Sequence, residues 1–266
     1  MSLISLSHDL PLWVLTLLLI LAACGYAIGL MLATRFLYGV DRLSLNNEVA
    51  GFKLAVIGVF YAVLLAFVVV AVWEDFRQTG AAVRDEAKAA VDLHRVTFAL
   101  PAEAGSEIRK HLIAYTKDVR EDEWPAMAVG EPSDIVDKDL DQLSKAIFGV
   151  SPANWQELAL YQDALRLLAR ITDNRNERLD SADGSMPGIL WFVLIAGGLI
   201  TLGYPAFFGS TNVLAQVLMT AALAVLVAIA LLLGLVFDYP FTGDVQVSSL
   251  PFEQALREMP AIWPPP

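Results

Sequence analysis

The sequence predicts an all-α, polytopic membrane protein with four transmembrane helices, two plus two, extended by a helical cytoplasmic region. Two observations carry that prediction. Of 266 residues, 56% are hydrophobic and 18% charged, whereas soluble chains carry about a quarter charged residues. The 18 basic and 29 acidic side chains are also absent from residues 10 to 34, 54 to 73 and 184 to 237. A bilayer core takes about 20 apolar residues per helix. The first two stretches each make one crossing, and the third is long enough for two. The same composition excludes disorder, collagen-like repeats and a small disulfide scaffold.

Residues 1–50 hold the first span and a short loop. The span is read from about Leu12 to Ala33, ending at Arg35, with Gly39 and Asp41 opening the loop. Leu21-Ala22-Ala23-Cys24 looks like a lipoprotein cleavage box, yet residues 1 to 10 contain Asp9 and no Lys or Arg. A signal peptide wants a basic start. The apolar run continues past Cys24, so the segment is read as a span and the single cysteine as an inert membrane residue. One cysteine also excludes an internal disulfide or a cysteine-based zinc site.

Residues 51–100 form the second span, reaching Trp73 at the interface where aromatic belts sit. No proline follows before Pro101, so the helix is predicted to run on to about Phe98. At 1.5 Å per residue this makes a rod of roughly 70 Å.

Residues 101–183 read as helices throughout. Ile108, Leu112, Tyr115 and Val119 recur at helical spacing, and Pro125 is expected to close that segment. Pro132-Ser133 starts another, carried by Ile135, Leu140, Leu143 and Ile147. Ser151-Pro152 is read as an N-cap with proline at the first helical position, followed by Trp155, Leu158, Leu165, Leu168 and Leu179.

Residues 184–240 make the membrane hairpin. Pro187 stands at the first turn, a place helices tolerate, and Tyr204-Pro205 with Gly209-Ser210-Thr211-Asn212 turns the chain. Pro240 stops the last span and leaves 241–266 as a tail. Four crossings put both termini and the middle region on one side. Arg77, Arg84, Lys88, Arg170, Arg175 and Arg178 lie near the membrane there, against Arg35, Arg42 and Lys53 opposite. By the positive-inside bias the large side is cytoplasmic.

Two faces are read on the second helix. Gly58, Ala62 and Ala66 form a small-residue ladder, expected to let neighbouring helices approach closely. The other face carries Lys53, Val56, Phe60, Val63, Phe67 and Val70, then Glu74, Arg77, Arg84, Lys88 and Arg95. Inside the bilayer that face meets either lipid or an aqueous pore. In the second case Phe60, Val63 and Phe67 are a hydrophobic constriction, of the kind that gates by dewetting. Lys53, Glu74 and Arg77 then stand at its mouths. Four helices cannot surround a pore, so a pore needs a ring of protomers.

Other chemistry finds little support. Asp137, Asp139 and Asp141 have the one-three-five spacing of a calcium loop. Its sixth and twelfth positions would be Gln142 and Phe148, where glycine and glutamate are required. With Asp134 they are read as a solvated acidic helix face. Glu107 and His111, with His94 in reserve, lack further ligands. No nucleophile elbow is present, so no catalytic residue, metal or cofactor is assigned and no enzyme is expected. The net charge of −11 gives no footing for nucleic acid. Asp238, a carboxylate at a membrane boundary, is expected to pair with Arg175 or Arg178.

Several runs carry a family resemblance. They are Gly51-Phe52-Lys53 through Tyr61, Leu64-Leu65-Ala66-Phe67, Trp73-Glu74-Asp75-Phe76, Asp85-Glu86-Ala87 and residues 175 to 179. Leu190-Trp191 and the tail Asp238-Tyr239-Pro240-Phe241-Thr242-Gly243-Asp244-Val245 complete the set. With them the chain resembles the bestrophin-like family of bacterial membrane proteins, a domain family of unknown function. The name points to the bestrophins, pentameric anion channels whose second helix lines a hydrophobic neck. The resemblance implies a homo-oligomer in the lipid bilayer that passes inorganic ions, with Phe60, Val63 and Phe67 at the neck. Asp238, Asp244, Glu253 and Glu258 are too widely spaced for a bestrophin calcium clasp. Residues 74 to 183 carry 22 acidic and 14 basic side chains, a balance that favours cations and leaves the ion's sign open. A non-conducting scaffold or sensor, whose helical region binds a partner protein, is the alternative.

Overall fold

The structure, a computed structural model, describes residues 11–261. The outer ends of the first segment and the tail, including Asp9, lie outside the described residues. Every regular element among the described residues is helical. Four of the helices are long and apolar enough to cross a membrane: α1 (Leu12–Tyr38), the span-bearing part of α3 (Asn47–Val96), α8 (Gly188–Gly203) and α9 (Val213–Asp238). A short α2 (Val40–Ser44) links the first two. The helix α3 is 50 residues long, about 75 Å at the helical rise, in line with the rod expected from the missing prolines.

The chain divides into two units. Among the described residues the membrane unit comprises 11–74 and Ser185–Asp238. Its core gathers Ala27, Tyr61, Leu65, Val68, Leu194, Leu202, Ala224 and Val227 from all four spans. One end is tied by polar contacts between loops. The Asn47 amide donates to the Gly209 carbonyl at 2.7 Å, and its oxygen accepts the Gly209 N–H at 3.0 Å. Arg35 donates to the Ser210 carbonyl at 2.6 Å. A Cβ at Gly209 would stand 2.4 Å from the Ser44 nitrogen and 2.6 Å from the Val40 oxygen. Only glycine fits that contact.

The second unit comprises Asp75–Gly184 and residues 239–261. Here α3 packs with α4 (Ala102–Asp118), α5 (Trp124–Met127), α6 (Asp134–Phe148) and α7 (Trp155–Asp180). Ser133 caps α6 as expected, its hydroxyl accepting the N–H groups of Ile135 and Val136.

Three expectations need correction. Pro125 does not close its segment: a π-turn over Val119–Glu123 loosens the helix and leads into α5, with the proline in its first turn, where no N–H is needed. The cap of α7 is Asn154, not Ser151. Asn154 accepts from the Glu157 N–H at 2.9 Å while the Glu157 carboxylate accepts from the Ala153 N–H at 2.8 Å, a reciprocal cap closed one residue before the N-cap, which Ser151 stands too early to make. The tail also contains a helix, α10 (Leu250–Glu258), which buries Phe252 and Ala255 in the core of this unit.

Candidate functional site

The span of α3 buries a single stripe within the chain: Tyr61, Leu65, Val68 and Val72. Tyr61 fixes which way the helix faces. Its hydroxyl donates to the Leu194 carbonyl at 3.1 Å. Its ring lies so close to α8 that a Cβ at Gly197 would come within 2.8 Å of it, and one at Gly198 within 2.9 Å of its hydroxyl. The Gly197-Gly198 pair lets a bulky aromatic side chain seat where two helices meet.

With that stripe held inward, the predicted constriction faces out. Phe60, Val63 and Phe67 are 76%, 50% and 72% exposed in the single chain, with Val56 and Val70 beside them. Lys53 is exposed one turn before Val56, and at the other end Glu74 is half-buried and Arg77 exposed. Trp73 stacks edge-on against Phe237 at 4.9 Å, beside Glu74, where the uncharged run of α3 ends.

The small-residue ladder is not where expected. Ala62 and Ala66 are exposed, and a Cβ at Gly58 would meet nothing within 4 Å. The packed stripe runs through the larger residues about a quarter turn away. Among the described residues the ladder therefore joins no two helices of this chain.

The expected pairing of Asp238 with an arginine is also replaced. Asp238 is buried and accepts from the Ser185 N–H at 3.0 Å, the Met186 N–H at 2.8 Å and the Trp191 indole at 2.9 Å. Three donors satisfy the carboxylate without a countercharge. It thereby ties the end of α9 to the start of α8.

Arg175 and Arg178 serve instead in a buried charge cluster of the second unit. Arg178 binds both oxygens of Glu86 at 2.8 and 3.0 Å, one oxygen of Glu123 at 2.7 Å and the Met127 sulfur at 3.1 Å. Its guanidinium lies 5.7 Å from the rings of Trp124 and Phe252. Arg175 binds Glu123 at 2.5 Å and Asp137 at 2.7 Å. Tyr115 donates to Glu86 at 2.6 Å. Burial and the adjacent Glu86 push the Tyr115 phenol well above its usual range. Burial works against the charge on Arg178, but Glu86 and Glu123 outweigh it and raise its pKa. Two carboxylates against two guanidiniums close the buried charge. Glu86 was visible in the sequence as a charge on the apolar arc of α3 that holds Val83 and Ala90; Glu123 sits in the π-turn and carried no signal.

The acidic face of α6 is likewise only partly solvated. Asp137 is held by Arg175, and Asp139 lies against Asp118. Burial first, then the Asp118 carboxyl, push Asp139 up to about 6, with His111 opposing. His111 pairs with Glu107 at 3.5 Å. Among the described residues no group of three or more His, Cys, Asp or Glu side chains is placed to hold a metal ion.

Comparison with known proteins adds the context. The model of the Bestrophin-like domain matches residues 12–252. Among solved structures, a bacterial Bestrophin homolog from Klebsiella pneumoniae superposes with a TM-score of 0.68 at 13% identity, covering 91% of this chain and 98% of that one. A variant of the same homolog gives 0.70 at 12% identity, over 91% and 96%. A chain described as a membrane protein gives 0.66 at 12% identity, over 91% and 98%. At such identities the likeness is one of fold. Among curated proteins none matches the sequence.

Proposed function

Because the chain belongs to the bestrophin-like family, we propose that it assembles into a homo-oligomeric ion channel whose pore is lined by α3. Phe60, Val63 and Phe67 form the hydrophobic neck, with Lys53 at one mouth and Glu74 and Arg77 at the other. The observation that carries this reading is the seating of Tyr61. It turns these three side chains away from every other span of the chain and leaves them open along the same face that turns charged at Glu74. A ring of several copies, five in the bestrophin pattern, brings that face to a common axis. The ladder of Gly58, Ala62 and Ala66 then lies where a neighbouring copy packs. The second unit and both termini are cytoplasmic, and inorganic ions are the cargo.

A second reading has its own observation. Phe148 and Trp155 are strongly exposed on the second unit, which suits a scaffold that docks a partner protein. Reconstitution in a planar bilayer separates the two. Conduction that rises in Phe67→Ala, as a widened neck requires, supports the channel. A sealed membrane holding a well-formed oligomer favours the scaffold, and a monomer by native mass in detergent rules out the pore.

A further inference from the structure

Within the second unit, α3 and α10 flank an open groove of about 400 Å³. Five charged side chains line it: Arg84, Lys88, Asp92, Arg95 and Glu258. Both carboxylates are already committed. Asp92 accepts from Arg95 at 3.0 Å, and Glu258 accepts from the other Arg95 nitrogen. Arg84 and Lys88 are exposed, four residues apart on one helix, and make no ion pair among the described residues. Like charges at that spacing repel one another. An acidic protein of net charge −11 therefore keeps a groove with two unspent positive charges.

The rest of the lining narrows the ligand. Gln254 adds a neutral amide from α10, while Ala87, Val91 and Ala255 make an apolar floor. Phe252, fully buried one turn away, holds α10 in place, so the groove is formed in advance. Two unspent cations match a dianion, and a phosphate monoester carries about −1.5 to −2. Arg84 offers the planar fork that suits phosphate oxygens, and Lys88 a point charge. The volume exceeds that of a bare phosphate and the floor suits a carbon skeleton.

We propose that this groove binds a small, soluble organic phosphate through Arg84 and Lys88, with Gln254 as a neutral donor. A lipid headgroup is the other source of such a phosphate. Every residue lining the groove belongs to the second unit and none to the membrane unit, so a soluble phosphate is the source taken here. The site stands whether or not the chain conducts.

The test is isothermal titration of the full chain in maltoside micelles with glycerol phosphate. Saturable binding is expected, weakened about tenfold by Arg84→Gln and again by Lys88→Gln. Glu258→Gln, which releases Arg95 from one carboxylate, is expected to tighten it. No saturable heat, or one affinity across all variants, overturns the proposal. Repeating the titration in nanodiscs distinguishes the source. Equal affinity in phosphatidylcholine and in phosphatidylglycerol discs is expected, and loss of binding in the anionic discs assigns the groove to lipid headgroups instead.

Discussion

One helix, α3, passes through two interiors built on opposite rules. In the membrane unit its buried stripe is Tyr61, Leu65, Val68 and Val72, and its outer surface is apolar as well. In the second unit its buried arc carries Val83, Ala87 and Ala90, yet it also holds the fully buried Glu86. The solvent outside explains the contrast. Where lipid is outside, burial gains little hydrophobic free energy, so close fit and small residues hold helices together. Where water is outside, apolar burial supplies the drive, and the unit can accommodate four buried charges provided each is paired. Position in the membrane unit is set by shape, and in the second unit by charge.

The largest expected effect breaks the charge rule. Arg178→Met leaves Glu86 and Glu123 buried without their main countercharge, at a cost of about 3–5 kcal/mol. Loss of a cooperative melt, or of a monodisperse peak on gel filtration, checks it. Adding Glu86→Gln to Arg178→Met should recover part of the loss, since the pair costs more broken than absent.

A smaller effect breaks the shape rule. Gly198→Ala places a methyl group 2.9 Å from the Tyr61 hydroxyl and should cost about 1–3 kcal/mol by overpacking. Tyr61→Phe, which removes only the hydrogen bond to Leu194, should cost about 1 kcal/mol. Thermal melts in detergent measure both. If the alanine variant matches the phenylalanine one, fit is not what holds this contact.

The smallest effect sharpens the charge rule through pH. Asp139, raised to about 6, binds its proton more tightly folded than unfolded. Its contribution is fully present below the ordinary carboxylate range and lost as pH rises through about 6. The protein should melt higher at pH 5 than at pH 7.5 by this group, and Asp139→Asn should flatten that difference. Asp118 and His111 face the same carboxylate, so His111→Ala should raise the apparent midpoint.

The four spans are legible in the sequence because absent charges mark them, and the length of α3 because absent prolines do. Which face of α3 packs is not legible. Gly58, Ala62 and Ala66 define a stripe by size, but a stripe names no partner, and the partner in this chain is the Tyr61 ring against Gly197 and Gly198. That Phe60, Val63 and Phe67 share one face of α3 is legible from their spacing, whereas their reading as a neck rests on the family resemblance. The charge cluster stayed hidden for a different reason. Arg178, Glu86 and Glu123 are far apart in the chain, and one of them stands in a π-turn that helical periodicity cannot register. The helix α10 was missed because nine residues are too few to display a period.

The contact at Asp238 has a mechanical consequence. The α8–α9 hairpin is fastened at one end by the short loop through Gly209 and at the other by a carboxylate holding Ser185, Met186 and Trp191. Two antiparallel helices joined at both ends behave as a closed frame and cannot splay. The helix α9, at 26 residues, is about 39 Å long, against a hydrocarbon thickness of about 30 Å. A thinner or thicker bilayer must then be met by leaning the whole frame or deforming the lipid around it. The two spans of the hairpin then answer a change of bilayer thickness together rather than one at a time.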